Sequence, residues 1–316
     1  MNAPIQAPKL EHESADHLLS RELLFFTGKG GVGKTTIAVA FAKRAVELGK
    51  RVLLCEVAAG SSIGHMLGKP DIGFEPVEVF PNLHVTVCEP RQSLISFLSR
   101  FVKVRRLAKA MVTNRVTSRF FEAAPAVLET VVLERIGWFL RQMRGGEKPY
   151  DIIIVDMPSS GHAVTFLDTP RTMSELMNVG ALATHLQELD KLLVDPKAVE
   201  LVLVTLPEQM PVQETIELWK TARSKLKMAL TTVVVNRIRG ASINPRLAGA
   251  LREVPAGEFR DSSIMRAARL VELWSADDRR FVHQLHSTID ARFVHTSWHP
   301  DFETESDLIA SIVSEL

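Results

Sequence analysis

Hydrophobic positions along this chain fall into short unbroken runs separated by longer stretches in which they recur every three or four residues. The runs cover residues 23–27, 51–56, 83–88, 152–155, 201–205, 232–236 and 293–296. Apolar runs of this length predict strands buried on both faces; 83–88 alternates and is the least clean of them. Residues 34–48 carry helical periodicity, and Gly49 follows at the position where a left-handed residue closes a helix. Strands separated by helices imply parallel pairing with right-handed crossovers. The expected fold is therefore α/β: a doubly wound, mostly parallel sheet with its ligand site at the carboxyl ends of the strands.

Two stretches exceed a minimal β-α-β rhythm. Residues 91–144 hold no strand candidate and contain two amphipathic patterns. The first carries Leu94, Phe97, Leu98, Phe101 and Leu107; the second carries Val127, Leu128, Val131, Val132, Ile136, Phe139 and Leu140. Residues 169–194 repeat the pattern with Met173, Leu176, Met177, Leu182, Leu186, Leu189, Leu192 and Leu193. The expected organisation is a polar tail over 1–20 and a nucleotide domain over 21–316, with helical insertions at about 91–144 and 169–194. The stripes, with Met111, Met143, Met173 and Met177, either form an adaptable groove for a hydrophobic segment or bury their own faces.

The phosphate chemistry is written in residues 28–36. Gly28, Lys29, Gly30, Gly31, Val32, Gly33, Lys34, Thr35 and Thr36 follow a strand and open a helix, satisfying G-x-x-x-x-G-K-[ST] in the required context. Glycines let successive backbone N–H groups turn inward, and the helix N-terminus adds positive potential. Lys34 can reach the β- and γ-phosphates, and Thr35 can place its hydroxyl on Mg²⁺. Asp156 ends the buried run at 152–155, where the acidic partner of Mg²⁺ belongs. The expected cofactors are ATP and Mg²⁺.

Composition narrows the remaining classes. Apolar residues make up 46% and the net charge is +1, so no global basic field recruits nucleic acid. A basic run, Arg100, Lys103, Arg105, Arg106, Lys109, Arg115 and Arg119, is either a solvated helix face or a phosphate-touching one. Only two cysteines are present, Cys55 and Cys88, too far apart for a CxxC. They read as buried thiols, with no zinc site and no iron–sulfur cluster. No apolar run reaches membrane-spanning length and the first residues lack a signal pattern, so a cytoplasmic protein is expected.

Lys29, just after the first glycine, resembles the deviant Walker A signature of the MinD/ParA-type ATPases. The segment Asp156-Met157-Pro158-Ser159-Ser160-Gly161-His162 resembles the DTAPTGHT switch of the ArsA-like branch, the arsenite-efflux and tail-anchored-protein-targeting ATPases. That resemblance implies a dimer, homomeric or with a paralogous ATPase, in which Lys29 reaches the partner's nucleotide. It also implies that this segment senses the γ-phosphate and relays its loss from Gly161 into Phe166 and the helices of 169–194, that Asn236 bonds adenine, and that a helical surface meets a hydrophobic client segment or a membrane-protein partner.

One segment departs from the branch. An Asp-Pro-Ala-His type element should follow the second strand, but aligning the strand ends puts Ala58 at the water-orienting aspartate. Glu56, two residues earlier on the same strand face, is the candidate replacement. The leading expectation is an ATPase acting as a dimeric nucleotide switch, with Lys29, Lys34, Glu56 and Asp156 as catalytic candidates. The alternative is a slow or non-hydrolysing nucleotide sensor paired with an active paralogue; a DNA-partition role is the third reading.

Overall fold

A computed structural model describes residues 14–58, 60–102, 112, 114, 125–143, 146–176, 181–239 and 263–316. Among these residues eight strands form one sheet: β1 (Leu23–Thr27), β2 (Val52–Glu56), β3 (Val77–Phe80), β4 (Leu83–Val87), β5 (Ile152–Asp156), β6 (Val199–Thr205), β7 (Ala229–Ile238) and β8 (Arg292–Ser297). Their order is β3-β4-β2-β5-β1-β6-β7-β8. Every pairing is parallel except β3 with β4. The doubly wound α/β expectation therefore holds, with all seven expected strands in place.

The helices among the described residues are α1 (Asp16–Leu19), α2 (Lys34–Glu47), α3 (Ser62–Met66), α4 (Pro90–Val102), α5 (Pro125–Arg141), α6 (Ser160–Leu176), α7 (Ala181–Leu193), α8 (Gln209–Lys225), α9 (Ser263–Thr288) and α10 (Glu305–Val313). The alternation of side chains along β1 divides the interior in two. Leu23 and Phe25 face a core shared with α5, α6, α7, α8 and α9; Leu24 and Phe26 face a core shared with α1, α2 and α10. Burial on both faces is the reason the strands read as unbroken apolar runs. Gly49 takes φ +80° just past α2, as its position implied.

Three features were not written in the pattern of the sequence. The eighth strand, β3, lies on the edge, pairs antiparallel and leaves Val77, Glu78 and Phe80 exposed, so it carries no buried run to read. Within the polar tail, Ala15, Leu18 and Leu19 are buried against the α2 side of the sheet. The amphipathic helices form a layer whose core is continuous with the sheet. Val132, Ile136 and Phe139 of α5 belong to the same cluster as Phe25, Cys55 and Val155.

That layer retains an apolar cavity of about 170 Å³ between α4, α5, α6 and α7, lined by Leu94, Phe97, Val131, Met173, Leu186 and Leu189 among others. Met143 is exposed. The side chains of Phe101, Leu107, Met111, Leu176, Met177 and Leu182 lie outside the described residues. Of the basic run, Arg100 bonds the buried carboxylate of Glu134, which Arg141 also contacts at 3.2 Å. Lys103, Arg105, Arg106, Lys109, Arg115 and Arg119 lie outside the described residues. Cys55 and Cys88 are free thiols, both fully buried. Among the described residues no helix is long and apolar enough to cross a membrane.

Candidate functional site

The strand order reverses about β1, which lies between β5 and β6, and the crevice at its carboxyl end receives the glycine loop. Gly28 leaves β1 with φ +154°, and a Cβ there would lie 2.1 Å from the Val204 carbonyl oxygen of β6. Gly33 caps α2 at φ +87°, and a Cβ there would lie 2.4 Å from Asn236 Nδ2. Only glycine permits both the conformation and the approach. Val32, between them, is buried. The loop thus rests on β6 and β7 while Gly30 and Gly31 face open space.

Lys34 begins α2. Its Nζ donates to the Lys29 carbonyl oxygen at 3.1 Å. Burial pushes the Lys34 pKa below its ordinary value, partly opposed by the nearby charge of Asp156. The Lys29 ammonium pairs with the Glu214 carboxylate on α8.

Thr35 Oγ1 donates to Asp156 Oδ2 at 2.6 Å, joining the first turn of α2 to the end of β5. Asp156 is buried, and its Oδ1 has no hydrogen-bond partner among the described residues. Burial raises the Asp156 pKa to about 6; the Thr35 hydrogen bond and Lys34 oppose the rise, and Glu56 adds to it. An orphaned carboxylate oxygen beside a threonine hydroxyl is a hard oxygen set that suits Mg²⁺.

Glu56 occupies the neighbouring strand end, in register with Asp156. It is buried, and its two oxygens accept from Ser61 Oγ at 3.0 Å, Ser62 N at 2.9 Å, Ser62 Oγ at 2.5 Å and Ile63 N at 3.2 Å. These bonds tie β2 to the start of α3. The side chain expected to face an attacking water is here committed to holding the loop after β2. Ala58 lies within that loop and brings no polar side-chain atom to it.

Asn236, on β7, is also buried. Its Nδ2 donates to the Val32 carbonyl oxygen at 2.9 Å and its Oδ1 accepts from Thr296 Oγ1 at 2.8 Å. The register of β7 with β8 shifts just beyond it, where Arg237 takes φ +59°. Such an irregularity re-aims side chains at a strand end. Asn236 and Arg237 there line a cavity of about 220 Å³ with Thr36, Trp298, His299 and Phe302. Asp278, fully buried on α9, anchors the end of β7 by accepting from Arg239 N at 2.6 Å and Arg239 Nη2 at 2.6 Å.

The geometry thus gathers Lys29, Lys34, Thr35, Glu56, Asp156 and Asn236 at one end of the sheet. A family description, anion-transporting ATPase, matches residues 21–192, more than half of the chain. The chain belongs to the anion-transporting ATPase family. Similar proteins include the ATPase BagA of Mycobacterium tuberculosis, 27% identical over 269 residues, covering 83% of this chain and 77% of that protein. The arsenical pump-driving ATPase of Escherichia coli is 28% identical over 223 residues, 65% of this chain and 36% of its own length. A putative arsenical pump-driving ATPase 2 of Aquifex aeolicus is 29% identical over 174 residues, covering 54% and 56% respectively.

As a member of the anion-transporting ATPase family, the chain is an ATP-binding ATPase on a P-loop α/β fold. Reading the sequence missed Glu214, Thr296, Arg237, Trp298 and His299, which the sheet brings to the loop from the far half of the chain. No spacing rule links Glu214 to Lys29 across 185 residues. A sheet order with β6 beside β1 is what joins them.

Proposed function

We propose that this ATPase works as a nucleotide switch in a dimer, homomeric or with a paralogous ATPase, and that it relays the state of its nucleotide to the helical layer. The observation that supports this is the path of α6. The helix begins at Ser160, four residues after Asp156, and carries Gly161 and an exposed His162 in its first turn. It continues through Pro170 to Met173, which lines the apolar cavity. One helix therefore spans from the phosphate end of the sheet to the apolar layer. Proline removes a backbone donor and bends a helix, which gives α6 a defined point of flexure.

In this reading the loop amides of residues 28–36 cradle the phosphates and Lys34 leaves the Lys29 carbonyl to meet them. Thr35 and Asp156 would hold Mg²⁺, whose charge offsets that building on the transferred phosphoryl group. The cavity of Asn236, Arg237, Trp298 and His299 takes the base, with Asn236 able to both donate and accept. The helical layer meets a hydrophobic segment or a membrane-protein partner, and we assign neither nucleic acid nor an arsenical as cargo. Two fully buried cysteines offer no thiolate set to a trivalent metalloid. The place of action is the cytoplasm.

The commitment of both Glu56 oxygens, together with Ala58, favours a second reading: a slow sensor whose hydrolysis depends on a more complete partner. Steady-state ATP hydrolysis measured against protein concentration, with Lys34→Ala and Ala58→Asp, tests both. A rate per chain that rises with concentration and vanishes in Lys34→Ala supports the dimeric switch. Tight binding without turnover, and a gain in Ala58→Asp, supports the sensor. Turnover independent of concentration, with Lys29→Ala equal to the unaltered chain, overturns the dimeric mechanism.

A further inference from the structure

We propose that Glu214 is a positioning residue for the phosphate loop: its carboxylate holds the Lys29 ammonium on α8, and phosphate must take Lys29 from it. This rests on the nucleotide-site reading above and concerns how that site is gated.

The loop and α8 are placed against each other by the backbone. Gly28 lies directly on the Val204 carbonyl of β6, and α8 begins four residues after β6 ends. The Lys29–Glu214 pair therefore bridges the crevice between the ends of β1 and β6. Both loop lysines have a partner within the protein. Lys34 donates to the Lys29 carbonyl and Lys29 pairs with Glu214.

The pair is also built to part. The two side chains retain 30% and 36% of their exposure, so water can replace either partner. Surface pairs of this kind are weak. Phosphate oxygens accept charge-assisted hydrogen bonds from an ammonium, as a carboxylate does, so phosphate can compete for Lys29. Glu214 thus holds the cation ready and sets a threshold for its release, whether Lys29 turns to its own nucleotide or to a partner's.

The test uses the full chain with Glu214→Gln, Lys29→Ala and the double variant. Affinity for a non-hydrolysable ATP analogue with Mg²⁺ and the ATPase rate against protein concentration are measured for each. Glu214→Gln keeps the shape and removes the charge, and an unchanged melting curve confirms that it folds. We expect it to tighten analogue binding, or lower the protein concentration giving half-maximal rate, by about two- to fivefold. The same substitution in the Lys29→Ala background has no effect, which a purely structural role for Glu214 would not produce. Concentration dependence assigns Lys29 to the partner's nucleotide; affinity alone assigns it to its own. The inference is overturned if Glu214→Gln matches the unaltered chain, or if its effect persists without Lys29. If the unaltered chain fails to bind the analogue and Lys34→Ala changes nothing, the nucleotide-site reading falls and the latch with it.

Discussion

Asn236 donates from Nδ2 to the carbonyl oxygen of Val32, 2.9 Å away, although 204 residues separate them. That single amide ties the phosphate loop to β7, and through Thr296 to β8. The same side chain lines the cavity we assign to the base, so phosphate and base ends of the site share one support.

Removing that support is expected to loosen the loop before it affects the sheet. Asn236→Ala leaves the buried Val32 carbonyl and Thr296 hydroxyl without their partners, costing about 1–3 kcal/mol. Asn236→Asp is the harsher change, since it sets a carboxylate against a carbonyl. Denaturant unfolding and ATP-analogue affinity should both weaken in the order Asn, Ala, Asp. An Ala variant with full affinity would separate Asn236 from the nucleotide.

Gly28→Ala is expected to abolish nucleotide binding. Its Cβ would lie 2.1 Å from the Val204 carbonyl, inside contact distance of fixed backbone. The loop must then move off β6, at a cost of about 1–3 kcal/mol for the strained backbone alone. Gly30→Ala, with open space around the added methyl, is the control and should fold as the unaltered chain does. Equal analogue binding by the two variants would contradict this.

Asp156 gives the site a pH signature. Its folded pKa is raised from 3.8 to about 6, chiefly by burial. The folded chain therefore holds a proton that the unfolded chain releases across this window. Stability without nucleotide should fall as pH rises from 3.8 to about 6 and stay lower above it. Asp156→Asn removes the penalty, so at pH 7.5 the empty variant should be more stable by up to about 3 kcal/mol, with little difference near pH 4. The same variant should lose its response to Mg²⁺ in nucleotide binding. Thermal melts at the two pH values, with and without Mg²⁺-nucleotide, read both effects; an empty variant less stable at pH 7.5 would refute the assignment.

Glu56 should behave as an anchor. Four donors converge on its carboxylate, so Glu56→Ala is expected to cost about 2–4 kcal/mol and release the start of α3. Glu56→Gln keeps the acceptor oxygen and should cost less. If Glu56 instead acts on water, Glu56→Gln would lose orders of magnitude in turnover with unchanged stability.

The local chemistry was legible along the chain because it is contiguous. Strands buried on both faces leave unbroken apolar runs, and the phosphate loop needs its glycines, lysine and threonine at fixed spacing within nine residues. Asp156 was readable because a buried strand carries its last residue to the end of the sheet, whichever loop it enters. The edge strand β3 was not, since a half-exposed strand of four residues has no burial pattern to leave. Nor could sequence show how each polar side chain spends its hydrogen bonds. Glu56 looked available for water, and only the fold turned Ser61, Ser62 and Ile63 onto it. Asn236 looked like a base contact, and only the sheet order set it beneath Val32. Lys29 announced itself by position, but its partner Glu214 comes from a helix that reaches the loop because β6 pairs with β1. Motifs survive in sequence where backbone geometry demands neighbouring residues; partners brought together by strand order leave no spacing, and only tertiary structure decides them.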